Sequence, residues 1–139
     1  MISLKTHNII DYVLGVVLIS SPSIFGFSGV TSARNAFLIY GIALITYSLF
    51  TNYSYSVAKL ISLRTHMALD ATLGVILLVS PWLMGYSTSL TGGQLTLHFV
   101  LGLGVIALAT FTDRSRVEVL PKETKETKES EVQDRNRAA

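Results

Sequence analysis

RTHMALDATLGVILLVSPWLMG, residues 64–85, is the second copy of a segment that the chain first carries as KTHNIIDYVLGVVLISSPSIFG, residues 5–26. At a shift of 59 positions, Thr6, His7, Asp11, Leu14, Gly15, Val16, Leu18, Ser21, Pro22 and Gly26 meet identical residues. Their counterparts are Thr65, His66, Asp70, Leu73, Gly74, Val75, Leu77, Ser80, Pro81 and Gly85. Each copy is an apolar run long enough to cross a ~30 Å hydrocarbon core as a helix. Self-similarity at a fixed period decides the architecture before any single residue does. The likeness continues beyond each run: GIALITYSLFTN from Gly41 aligns with GLGVIALATFTD from Gly102 at a shift of 61, the two extra residues falling in a turn. The repeated unit is therefore a helical hairpin.

Composition agrees with a lipid-embedded chain. Half of the 139 residues are hydrophobic and 14% are charged, with a mean hydropathy of +0.50. Asp11 and Asp70 are the two acids before residue 113, whereas a soluble domain needs charge scattered over its whole surface. A net charge of +2 is no nucleic-acid footprint. The absence of cysteine excludes disulfides, thiolate metal sites and thiol chemistry.

Four spans are expected, over 8–27, 33–50, 66–86 and 95–111. The first could also be read as a cleaved leader, since Lys5 precedes it and the small Thr31 and Ala33 follow. The mid-chain copy, where no leader can stand, favours a retained span. Ser28–Ser32 reads as a tight polar turn, and Ser87–Gln94 as a turn broken by Gly92-Gly93. Tyr53 and Tyr55 stand where an interfacial aromatic belt would lie. SVAKLISL, residues 56–63, has the make-up of a short interfacial helix with Lys59 reaching the headgroups. The transmembrane domain covers 1–112, with repeats over about 5–53 and 64–112. Residues 113–139 hold seven cations and seven anions without an apolar face and are expected to stay disordered as a cytoplasmic tail.

Orientation follows from charge. Lys5, Lys59, Arg64, Arg114 and Arg116 flank one side of the spans, and Arg34 the other. The positive-inside bias then places both termini and the central loop in the cytoplasm, as a multi-pass protein of the cytoplasmic membrane. Two spans per repeat return the chain to its starting side, so the copies are parallel rather than inverted.

The repeated polar residues fall on a stripe. His7, Asp11, Gly15, Leu18, Pro22 and Gly26 recur every three or four residues, as do His66, Asp70, Gly74, Leu77, Pro81 and Gly85. Small and polar residues make helix contacts in lipid, so this face is expected to join span one to span three. Each Pro frees the carbonyl four residues before it, so the helix must either continue beyond the Pro with a kink or break in a last turn that protein covers. Ser20, Ser21 and Ser80 are suited to bond the freed carbonyls. Trp82 suits the outer interface, and His98 reads as an outer-face histidine at a helix end. Gly102-Leu103-Gly104 is a weak dimer signal.

The pairs His7/Asp11 and His66/Asp70 carry the sharpest chemistry, since each can meet at i,i+4. One reading is structural: an acid near a helix N-terminus complements the dipole, with Thr6 or Thr65 as cap. The others are proton or ion handling, or a divalent ion shared by two imidazoles and two carboxylates. The motif is too short to assign a metal, a cofactor or a catalytic residue.

The pattern His-x3-Asp-x2-Leu-Gly-x6-Pro-x3-Gly, with Ser80-Pro81-Trp82 in the second copy, resembles the SPW-repeat family of small bacterial and archaeal membrane proteins. That resemblance implies two transmembrane helices per repeat, with the Ser-Pro-Trp motif in the first. In the first copy the motif reads Ser21-Pro22-Ser23, so the Trp is missing there. The resemblance carries no activity. The expectation is an all-α membrane protein of four transmembrane helices, non-enzymatic, acting as a scaffold or interaction subunit. Its partners would be the lipid bilayer and a second copy or another membrane protein. The alternative is a small proton, ion or solute conduit working as an oligomer through the His/Asp pairs.

Overall fold

The computed structural model describes residues 1–52 and 56–113. The expected tail from Arg114 onward, Arg116 included, and Tyr53 and Tyr55 lie outside the described residues. Four long helices follow in order: α1 (Leu4–Ile24), α2 (Thr31–Leu49), α3 (Leu63–Leu83) and α4 (Gly92–Phe111), with a 3-10 turn at Ser87–Ser89 before the last. Three of them, α1, α3 and α4, are long and apolar enough to cross a membrane. Arg34 and Asn35 lower the hydropathy of α2, yet Ile39 and Ile42 on its outer face are exposed like Val16, Val75 and Val100 on the other helices. Apolar side chains displayed outward on every helix, over a core that is itself apolar, are the mark of a lipid solvent. The protein is an all-α membrane protein.

Each apolar run begins earlier than its hydropathy suggests. Ser3 and Ser62 cap α1 and α3, each hydroxyl accepting from the backbone N–H of Thr6 or Thr65 at 3.1 Å. Thr6 and Thr65 are therefore not the caps. With the start moved outward, the 21 residues of α1 extend about 31 Å at 1.5 Å per residue, which matches the bilayer core. The helices also run through their prolines rather than stopping at the preceding Ser, because Pro22 and Pro81 sit in the last turn. Gly26 and Gly85 then take φ of +71° and +70°. The N–H groups of Phe27 and Tyr86 donate back to Pro22 O and Pro81 O at 2.9 Å. That is a left-handed glycine cap, and it satisfies a carbonyl that would otherwise face lipid.

Packing places the small-residue seam inside each hairpin, not between span one and span three. A Cβ on Gly41 would stand 2.7 Å from Gly15 O, and one on Gly74 would stand 2.7 Å from Gly102 O. Gly15 thus meets Gly41 across α1/α2, and Gly74 meets Gly102 across α3/α4. Gly26 and Gly85, with nothing within 4 Å of such a Cβ, serve as caps and not as seam. Gly104, inside α4, faces open space and is not part of the seam either. Where α1 and α4 approach, a shallow apolar groove of about 400 Å³ remains, lined by Ile10, Leu14, Val100, Leu101 and Gly104 among others. The core between the hairpins holds Leu18, Phe37, Leu44, Leu73, Leu77 and Tyr86.

Two connections depart from expectation. Ser56–Leu60 is not helical. Its backbone instead folds onto the end of α2, Leu60 and Ile61 donating to Phe50 O at 2.9 and 2.8 Å. Gly92 and Gly93 do not break the chain but open α4, because Thr91 and Gln94 form a reciprocal capping box on either side of them.

Candidate functional site

The two inward stripes deliver four charged or polar groups to one point. Asp11 and Asp70 lie two turns inside α1 and α3, beyond reach of the orphan amides that Ser3 and Ser62 already serve. They turn to the imidazoles instead. His7 Nε2 stands 3.4 Å from Asp11 Oδ2 and 3.1 Å from Asp70 Oδ2. His66 Nε2 stands 3.0 Å from Asp11 Oδ2 and 3.1 Å from Asp70 Oδ2. All four side chains are at most 1% exposed. The structure thus brings together His7, Asp11, His66 and Asp70. They form a crossed set in which each histidine meets the carboxylate of its own helix and that of the other repeat. Since the N-terminal turns of α1 and α3 meet, the two hairpins run parallel.

Two threonines fix the imidazoles. Thr112 Oγ1 lies 2.7 Å from His7 Nδ1 and donates its own proton to Leu108 O at 2.6 Å. Thr51 Oγ1 lies 2.8 Å from His66 Nδ1 and donates to Tyr47 O at 2.6 Å. With the hydroxyl hydrogen committed, each threonine oxygen accepts from Nδ1–H, which assigns the tautomer. The Nε2 of each ring is thereby turned toward the carboxylates. Tyr47 Oη donates to Asp70 Oδ1 at 2.6 Å, and Ser48 Oγ reaches Asp11 Oδ2 at 3.5 Å. Asn8, one residue from His7 and fully buried, has no hydrogen-bond partner for its amide among the described residues.

The backbone closes over this centre with the same symmetry. Ile2 N donates to Phe111 O at 3.0 Å and Asp113 N to Ile2 O at 2.9 Å. The equivalent bonds in the other half run from Ile61 N to Phe50 O at 2.8 Å and from Asn52 N to Ile61 O at 3.0 Å. Thr51 and Thr112 sit in these bridges, each bringing its hydroxyl to the histidine of the other repeat. Neither threonine belongs to the expected site. Their signal is in the sequence all the same, as an identical Phe-Thr pair at the shift of 61.

The remaining motif residues gather at the opposite end. Ser80 Oγ donates to Leu77 O, the carbonyl that Pro81 frees, at 3.0 Å. Ser21 Oγ instead donates to Val17 O at 2.7 Å. The difference follows from the partner: Tyr86 Oη donates to Ser80 Oγ at 2.6 Å and orients it, whereas its twin Phe27 has no hydroxyl. His98 lies two turns into α4, toward the end of the bundle opposite the His/Asp centre. It is fully buried, with Nδ1 donating to Gln94 O at 2.7 Å and its ring 4.8 Å from that of Phe37. Trp82 is 54% exposed in the last turn of α3, its ring 5.8 Å from Phe99.

Neither the curated proteins nor the solved structures contain a match to this chain. A family model described as the SPW repeat domain matches residues 5–112, which spans both hairpins, both His/Asp pairs and both Ser-Pro turns. The chain belongs to the SPW-repeat family.

Proposed function

We propose that this protein is a non-enzymatic scaffold or interaction subunit of the cytoplasmic membrane. In this reading it makes four crossings, with both termini and the central loop in the cytoplasm. The observation that carries it is the layer beneath the polar centre. Leu18, Leu44 and Leu77 are at most 1% exposed and pack into one core with Phe27 and Phe37. A side-chain core at that density leaves no file of water along the bundle axis. The His/Asp centre is also sealed, so a substrate-sized molecule has no surface to touch there. The parallel hairpins and the cations Lys5, Lys59 and Arg64, exposed at the same end as the centre, support the orientation. Crossing by α2 is supported by its pairing with α1 along the glycine seam and by its exposed Ile39 and Ile42. The partner is a second copy or another membrane protein.

Flux separates this role from the conduit. Purified protein is reconstituted in liposomes carrying a pH-sensitive dye, and flux is driven by an imposed proton or potassium gradient. The scaffold reading expects rates equal to those of protein-free liposomes, for the wild type and for Asp11→Asn/Asp70→Asn alike. It also expects the double variant to unfold at a lower temperature. A wild-type flux that the double variant loses would overturn the reading in favour of a conduit.

A further inference from the structure

We propose that His7, Asp11, His66 and Asp70 bind one divalent transition-metal ion of the zinc type on the pseudo-two-fold axis between the repeats. This goes beyond the scaffold reading and stands apart from it, since a metal could lock a scaffold or a conduit equally.

Three features of the centre carry the inference. One ligand atom from each of the four side chains falls within 4.8 Å of the other three. A tetrahedral ion with bonds of about 2.0–2.1 Å sets neighbouring donors about 3.4 Å apart, and the His–Asp separations of 3.0–3.4 Å fall at or just inside that edge. The second feature is direction. Thr51 and Thr112 hold both Nδ1–H groups, so both Nε2 atoms, the ligating positions, are turned toward the carboxylates. An outward Nδ1–H bond of this kind is how metal-bound histidines are usually oriented. The third is charge. Two carboxylates balance a divalent ion to zero, which a low-dielectric site requires.

Donor chemistry selects the ion. Two imidazoles and two carboxylates suit zinc, or cobalt in its place, whereas magnesium demands six oxygens and keeps its water. Without metal, neutrality takes two protons spread over the four groups. Ion binding expels them, so uptake releases about two protons per ion. The bridges Ile2/Thr112 and Ile61/Thr51 cover the centre, so exchange waits on local opening at that end and is slow.

The test uses the full chain, purified in detergent, stripped with chelator at elevated temperature and equilibrated with cobalt(II) as the probe. The expected result is one cobalt per chain with the intense visible absorption of a tetrahedral ion. Zinc should displace it, and the melting temperature should fall when the ion is removed. Asp11→Asn should abolish the absorption. Thr112→Val, which keeps all four ligands, should weaken cobalt binding 10- to 100-fold and so remains informative if the ligand variant does not fold. A folded, helical wild type that holds no metal as purified and gains no such absorption overturns the proposal. So does an absorption that survives Asp11→Asn/Asp70→Asn, or cobalt affinity unchanged in Thr112→Val.

Discussion

Asp11 and Asp70 hold equivalent places in their repeats but keep different company. Tyr47 donates to Asp70 at 2.6 Å, and its counterpart at the shift of 61 is Leu108, which has nothing to donate. Apart from the imidazoles, Asp11 meets the hydroxyl of Ser48, at a longer 3.5 Å. A hydrogen bond to a charged group contributes about 1.5–3 kcal/mol, so Tyr47→Phe is expected to cost about 2 kcal/mol and Ser48→Ala less than about 1. Denaturant titration of both variants in one detergent checks this, and equal losses would mean that the two carboxylates are held alike. Asn8 offers a second residue-scale test. Its counterpart is Met67, and both are buried. An amide without partners costs about 1–3 kcal/mol, so Asn8→Met should raise the melting temperature; a fall would show that the amide is bonded. The His/Asp pairs were legible in the sequence because they sit at helical spacing and occur twice. The threonines that orient them are repeated too, but their role was not legible, because each stands at the end of a different helix and reaches the centre only through chain closure.

At the scale of the element, the repeated glycines divide into two kinds that a stripe on one helix cannot distinguish. Gly15 and Gly74 are needed for space, since any Cβ there strikes Ile45 or Ile106 side chains within 2.6 Å. Gly26 and Gly85 are needed for conformation, since their surroundings are open and their φ is positive. Conservative replacements separate the two. Gly85→Ala should cost about 1–2 kcal/mol for a left-handed residue with a Cβ, and Gly85→Asn should recover most of it. Gly74→Ala should cost about 1–3 kcal/mol through overpacking, and no polar replacement should help. Melting temperatures of the three variants in detergent decide it; rescue at 74 or none at 85 would reverse the assignment. Hydropathy found all four helices, but it misplaced their starts because the caps, Ser3 and Ser62, and the first turns are polar. The prolines do not end their helices, which run on to Ile24 and Leu83 as a crossing of the bilayer requires.

For the molecule as a whole, the parallel relation of the hairpins follows from one end alone. The contacts His7–Asp70, His66–Asp11, His7–Thr112 and His66–Thr51 all cross between repeats. They require the starts of α1 and α3 and the ends of α2 and α4 to share a side. The opposite end is joined by Gln94 Nε2 donating to Phe25 O at 2.9 Å, which ties the turn of one hairpin to that of the other. Sequence duplication implied this arrangement, but pairing within each hairpin could have been reached without any contact between repeats. The chain has no cysteine, so single substitutions report sidedness without background. Ser32→Cys, Thr88→Cys and Lys59→Cys are each at exposed positions. An impermeant maleimide applied to intact cells should label the first two and leave the third until the membrane is opened. Labelling of Lys59→Cys alone would keep the fold and reverse its orientation. Labelling of Ser32→Cys and Thr88→Cys from opposite sides would invert one hairpin, and the crossed contacts at the centre could then not form, because His7 and Asp70 would be a bilayer apart.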